Sequence, residues 1–560
     1  MTMVALALLA ARQPAFAGER SSAQPNLSPT VQEDLPVSHP RAVRIAEGTP
    51  QVRDERRRHP DLRPGNVTHF QGSDSWGITF ESEGKELAYV RVDGHTGGLI
   101  EAWQGTQAEW VMARGYTGYF GDTFEAWYVW LPLCLLFVAP FVNPRRPFRI
   151  LHLDLLVLVG GFGLSHFFFN KGEIGTSVPL VYSVLAYFLA RMLVAGFRPR
   201  RTGQPLVPFL PAAMLVTGIV LLGGLRIGLA LTEGEVGDVG YGSAVGATRI
   251  QEDKPLYVDS GEDDSHFDTY GPVNYLAYDP FVRIWQPTQQ QIDAPQDYDL
   301  TAARAASIAF DALTILGLFL LGLRLRSGRS GRLLGLTFAY GWVSFPYTLF
   351  PLMISANDTL ISALIVFALL GLTSAPARGA MIALAGAAKF APLALAPLFA
   401  SGRGEAKLRS WGWFGLTAAL VGVIAVLPYV PTDGGVKALY DQTVGFQLTR
   451  ESPFSVWGQN PGLNPLLWVV KAAVVGLAVT VAFVPRRRDT LQVAALGAAV
   501  LIATQLIAIH WFYLYIVWFT PFLLVALFGE HSTARDKQRA PEAVQMPLTA
   551  EREPELVGAR

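Results

Sequence analysis

The chain is predicted to be a mainly α polytopic membrane protein, a bundle of about eleven full spans plus one re-entrant helical hairpin. A small α+β extracytoplasmic module precedes the bundle. Three observations predict this. Of 560 residues, 51% are hydrophobic, and they cluster into runs of the length that crosses a hydrocarbon core of ~30 Å. Lys and Arg are segregated into short clusters between those runs. One N-terminal stretch instead alternates apolar and polar residues, the period of strands joined by hairpins.

Residues 1–17 carry the apolar run "MVALALLAA" and end in Ala15-Phe16-Ala17, a small-x-small pattern. They predict a signal peptide or a truncated membrane anchor. Residues 18–65 are rich in Pro, Arg, Glu and Ser and are expected to be a linker or disordered arm. The segment 76–103, "WGITFESEGKELAYVRVDGHTGGLIEAW", has turn signals at Glu83-Gly84 and Asp93-Gly94. His95 lies in the second turn and is expected to be a turn residue rather than a ligand. Its "VRVDGHTGGLIEAW" resembles the strand–turn–strand of PepSY-type extracytoplasmic modules, which implies such a module over 66–125.

The apolar runs predict spans at 126–142, 151–169, 178–197, 209–231, 303–323, 334–350, 360–376, 411–430, 464–484, 490–509 and 512–528. Basic clusters at 144–149, 198–201, 324–332, 403–409, 486–488 and after Glu530 are expected in the cytoplasm. Alternate counting then puts the N-terminal module outside and leaves 529–560 as a disordered cytoplasmic tail. The apolar stretch 380–400 breaks the count, because it is flanked by basic residues on both sides. Two half-length helices meeting near Lys389–Pro392 restore it. Pro392 supplies the break, and broken helices are tolerated at membrane depth where protein surrounds them.

Two long loops, 232–302 and 431–462, fall on the outer face. Over 232–300 there are fourteen Asp or Glu against Arg249, Lys254 and Arg283. Loops of that length in a compact bundle are usually functional, so any chemistry is expected there. The single cysteine, Cys134, rules out a disulfide within one chain. The short basic clusters give no nucleic-acid surface. The run "EDDSHFD" (262–268) offers carboxylates and His266, so a divalent cation is conceivable, but a solvated acidic loop is the expectation and no metal or other cofactor is predicted.

Within the first loop, "DVGYGSA" (238–244) follows a span, then "KPLY" (254–257) and "TYGPVNYLAYDPF" (269–281). Later come "ISANDTLISALIVFALL" (354–370), "GAAKFAPLALAPLF" (386–399) and "IHWFYLYIVWFTPFLL" (509–524). In this order the segments resemble the GT-C polyprenyl-phosphate-sugar-dependent glycosyltransferases, particularly the family-87 mannosyl- and arabinofuranosyltransferase-like branch. The resemblance covers roughly 209–528; three accessory helices (126–208) precede it. Tyr270-Gly271-Pro272 carries one proline where the family usually shows two.

The resemblance implies transfer of a sugar, with mannose favoured, from a polyprenyl-phosphate donor to an extracytoplasmic glycan or lipid acceptor, with inversion. An acceptor hydroxyl is a poor nucleophile, so a carboxylate must take its proton; the resemblance assigns this to Asp238, with Glu233 and Glu235 as nearby rivals. The leaving phosphate needs a cation or donor. Arg450, Lys389 and His510 are the outer-side candidates, with Tyr270, Asn357 and Asp358 as further substrate contacts. Asn357 is also suited to cap a helix, with Asp358 favourable against its dipole. The competing expectation is a transporter or flippase of a lipid-linked intermediate with the N-terminal module as sensor, although the paired broken helices usual in transporters are not evident.

Overall fold

A computed structural model describes residues 35–70, 73–115, 126–144, 147–198, 210–257, 269–293, 300–404, 408–431, 434–449 and 452–530. The expected signal peptide (1–17), the tail (531–560) and the stretch 262–268 lie outside the described residues.

The N-terminal module begins with two helices, α1 (His39–Glu47) and α2 (Pro50–Arg58). They correct the expectation of a linker over 18–65 for residues 39–58; residues 18–34 lie outside the described residues. Their buried stripe is narrow, Ala42 and Ala46 on one and Val52 and Glu55 on the other. The arginines around it hide that stripe from composition. Behind them lies an antiparallel meander in the order β1 (Arg63–Phe70), β2 (Ser75–Ser82), β3 (Lys85–Asp93), β4 (Leu99–Gln104). Trp76, Ile78, Phe80, Val90 and Val92 form its core with Val37 and the helix alanines, and Trp76 Nε1 donates to Val37 O at 2.7 Å.

Both expected turns are present. Ser82 pairs with Lys85, and Glu83 (φ 52°) and Gly84 (φ 78°) between them are left-handed, the pattern that matches the twist of a two-residue hairpin. In the second turn Asp93 Oδ1 accepts from the amides of His95 and Thr96 at 3.1 and 2.7 Å. His95 is exposed, with Nε2 3.1 Å from Asp74 Oδ2.

The described residues after the module are mainly helical. Six helices among the described residues are long and apolar enough to cross a membrane: Ile150–Asn170, Ile174–Phe197, Ala212–Thr232, Thr301–Leu325, Leu408–Tyr429 and Pro461–Phe483. The other five predicted spans correspond to shorter helical pieces. Four are Trp127–Phe141, Asp358–Leu370, Thr490–Leu506 and Tyr513–Phe528. The fifth, predicted over 334–350, is Gly328–Ser344, which stops before Pro346 starts Pro346–Met353.

The apolar segment after 374 folds back on itself as expected. Helix α3 (Ala375–Ala388) ends at Lys389, and a 3₁₀ turn at Ala391–Leu395 leads into α4 (Ala396–Ser401). Arg378 near the start of α3 donates from Nε to Phe399 O at 2.7 Å, so the two ends lie side by side. Both ends meet basic clusters: Arg324 donates to Thr373 Oγ1 at 2.5 Å, and Arg488 Nε to Gly402 O at 2.8 Å. The tip meets the first long loop, where Gly271 N donates to Ala388 O at 3.1 Å.

Two of the three accessory helices dock on the core through a hydroxyl cluster. Tyr513 OH lies 2.7 Å from Ser165 Oγ and 3.0 Å from Ser177 Oγ. A buried ion pair joins two core spans: Arg226 Nη2 donates to Asp311 Oδ1 at 2.7 Å, and Trp342 Nε1 donates to the same oxygen.

Candidate functional site

The stretch after the Ala212–Thr232 span is glycine-rich because it runs directly against another backbone. Glu235 N donates to Met353 O at 2.6 Å and Gly237 N to Ile354 O at 2.9 Å. A Cβ on Gly240 would lie 2.4 Å from Ser355 O, and one on Gly234 2.9 Å from Met353 O. Only glycine permits that approach. Ser355 itself is left-handed (φ 53°). This pairing brings the start of α5 (Asp238–Gln251) beside the start of α6 (Asp358–Leu370).

A buried amide network then ties those helices to α7 (Pro272–Ile284). Asn357 Nδ2 donates to Asn274 Oδ1 at 2.8 Å, Asn274 Nδ2 to Ser243 Oγ at 2.9 Å, and Ser243 Oγ to Val239 O at 2.7 Å. The Asn357 side chain therefore does not cap its own helix, contrary to expectation; it reaches across to neighbouring helices instead. Asn357 is 1% exposed and Asp358 0%.

At the next residue, Asp358 Oδ1 accepts from Lys389 Nζ and from Trp518 Nε1, both at 2.7 Å. The lysine is sandwiched: its Nζ is 5.1 Å from the Tyr270 ring centroid and 5.3 Å from that of Trp518. Both distances are within the range of cation–π attraction. The break at Lys389 thus serves to deliver a cation to the tip of the hairpin. Its partners satisfy a charge that would otherwise be costly there.

Tyr270 closes this arrangement toward the first loop. Its amide donates to Tyr275 OH at 3.1 Å, and Tyr257 OH donates to its carbonyl at 2.7 Å. Burial, with the Asp238 and Asp358 carboxylates nearby, holds the Tyr270 phenol well above its ordinary range. It therefore stays a neutral hydroxyl. The neighbouring Gly271 backs onto Ala387 O, 2.1 Å from where a Cβ would sit. No side chain fits there.

Four of the residues expected at a site therefore converge: Tyr270, Asn357, Asp358 and Lys389. Asp238 is exposed on the first turn of α5, where its Oδ1 accepts from Val239 N at 2.8 Å. Its charge reaches Tyr270. His510 has a different setting. Its Nδ1 lies 2.9 Å from Ser452 Oγ, and its ring packs near Trp110 (5.8 Å) and Phe454 (5.7 Å). Trp110 comes from the end of the N-terminal module, so His510 sits where that module meets the second loop. Arg450 lies outside the described residues.

The chain matches no protein-family model and no curated protein. Ser243, Asn274 and Trp518 belong to the site and were not singled out in the sequence. Ser243 sits in a run of small residues, Asn274 in an aromatic stretch and Trp518 in an apolar span, so none carries a local signal. Chemically, the cluster offers a cation held between two aromatic rings and a set of buried hydrogen-bond acceptors, with the exposed Asp238 carboxylate felt electrostatically at Tyr270.

Proposed function

We propose that this protein is an integral-membrane glycosyltransferase that moves a sugar, with mannose favoured, from a polyprenyl-phosphate donor to a glycan or lipid acceptor outside the cytoplasm. The observation that carries the reading is the arrangement around Tyr270. The charge of an exposed carboxylate, Asp238, is felt at Tyr270, and the Lys389 ammonium lies against that ring. A transfer of this kind needs those two groups within one substrate's reach.

In the reaction, Asp238 takes the proton of an acceptor hydroxyl as its oxygen attacks the anomeric carbon. The bond from that carbon to the phosphate oxygen breaks, and the electron pair leaves with polyprenyl phosphate. Displacement from the opposite face inverts the anomeric centre. Lys389 is the cation for the departing charge, with Arg450 as a further one. In this reading the shorter apolar helices complete a bundle of about eleven spans, and the long-loop face lies outside because the basic clusters lie inside.

The test supplies labelled polyprenyl-phospho-mannose and -arabinose to membranes bearing the native protein or Asp238→Asn. Transfer by the native protein and its loss in the variant is the expected result. Equal transfer by both removes Asp238 from the role of base, and no transfer of either sugar removes the enzymatic reading.

A further inference from the structure

The polarity of the buried cluster separates two substrate contacts that the sequence groups together. Asp358 Oδ1 is fully engaged by Lys389 and Trp518. Its Oδ2 is buried without a hydrogen-bond partner among the described protein groups, and so is the Oδ1 of the adjacent Asn357. The amide and indole donors of the network are committed elsewhere. Asn357 Nδ2 serves Asn274, Asn274 Nδ2 serves Ser243, and Trp518 Nε1 serves the other Asp358 oxygen. Two acceptors on consecutive residues are therefore left without the network's amide and indole donors. Buried polar atoms without partners carry a desolvation cost, and such exceptions in a native structure point to function.

An acceptor-only pair, one of its members a carboxylate, repels a phosphate. It suits a group that donates two hydrogen bonds from adjacent atoms. We infer that Asn357 Oδ1 and Asp358 Oδ2 form a hydroxyl-recognition seat for a vicinal diol of a monosaccharide, distinct from the cationic contact that Lys389 offers a phosphate. This rests on the proposed glycosyl transfer and assigns its parts: the sugar ring is read at the start of α6 and the phosphate at the hairpin tip. Asp358 then has two duties, one oxygen orienting Lys389 and the other accepting from the sugar. The acceptors are shut off from solvent, so the sugar reaches them as the packing around them opens. A site built to accept from hydroxyls rejects analogues that lack them, because its own buried atoms are then left unpaired.

The experiment measures binding to the full-length protein in lipid nanodiscs, with no transfer required. The probes are the methyl glycosides of mannose, glucose, galactose and arabinofuranose, the deoxy analogues of whichever binds, and decyl phosphate. For the native protein, one glycoside binds, and removal of either of two adjacent hydroxyls weakens it at least about tenfold. Asp358→Asn keeps an acceptor for Lys389 and Trp518 but turns the free oxygen into a donor. It weakens the glycoside by a similar factor.

The seat is refuted if no glycoside binds, or if every deoxy analogue binds within twofold of its parent. Weakened decyl phosphate with unchanged glycoside binding in Asp358→Asn also overturns it, making the pair part of a phosphate site. The deoxy series uses native protein alone, so misfolding of the variant leaves that arm intact. Failure of the transfer reading is separable: Asp238→Asn that transfers normally while the deoxy series shows its losses removes the base and keeps the diol seat.

Discussion

Removing the Lys389 ammonium tests whether the hairpin tip is held by a charge pair. The substitution is Lys389→Met, which keeps most of the volume and deletes the charge. Its partner Asp358 is fully buried, and the two atoms are 2.7 Å apart, with 10% of the lysine side chain exposed. At that distance, with an effective dielectric of about 20, the attraction is on the order of 6 kcal/mol. Desolvating both ions offsets several kcal/mol of that, whereas breaking a buried pair by removing one partner typically costs about 3–5 kcal/mol. Trp518 Nε1 is then the remaining donor to the stranded carboxylate. Adding Asp358→Leu removes that stranded charge, so the double variant is expected to recover all but about 1–2 kcal/mol. The assay is a double-mutant cycle read by reversible unfolding in mixed micelles, with a coupling energy above about 2 kcal/mol expected. Neutral hydrogen bonds between membrane helices average about 0.6 kcal/mol. A coupling below about 1 kcal/mol, or additive losses in the cycle, refutes the claim that charge holds the tip.

Four other perturbations follow from the structure. Gly240→Ala drives a methyl toward Ser355 O at 2.4 Å and should cost about 1–3 kcal/mol in the same unfolding assay. Gly228→Ala, in open space, should stay within about 0.5 kcal/mol. Tyr513→Phe deletes the hydroxyl that joins Ser165 and Ser177 and should lower stability by about 1–3 kcal/mol, since two buried hydroxyls lose a partner. In the N-terminal module, hydrogen bonds from the Thr96 amide and hydroxyl hold the Asp93 carboxyl below its ordinary range. A lowered native value means its contribution is present above the usual carboxylate range of about 4 and is lost as pH falls through the native value. Once corrected for intrinsic rates, hydrogen exchange at the Thr96 amide should therefore accelerate in acid, and Asp93→Asn should abolish that pH dependence.

Much of the architecture was legible because it is written in local periodicity. Runs of apolar residues marked the long helices, alternation marked the β2–β3 and β3–β4 hairpins, and Glu83-Gly84 marked a turn that needs left-handed backbone. The broken helix was legible from Lys389 and Pro392 between two basic flanks. The helices at 39–58 were not, because a stripe of two alanines and a valine disappears among arginines. Helix lengths were also overestimated where apolar composition ran on past a helix end, as at Ser344 before Pro346.

Sequence by itself determined that this chain has membrane-length apolar helices and that a lysine interrupts one of them. Both follow from the order of residues along a single element. Tertiary structure alone decided what that lysine meets. Asp358 lies 31 residues away and Trp518 160 residues from Asp358, and the Arg226–Asp311 pair spans 85. The same holds for the glycines after Thr232. In sequence they read equally well as loop flexibility or close approach, and the carbonyls of Met353, Ile354 and Ser355 decide for close approach. Partners so far apart leave no periodic trace, because hydrogen bonds and ion pairs act over a few ångströms of space and not along the chain.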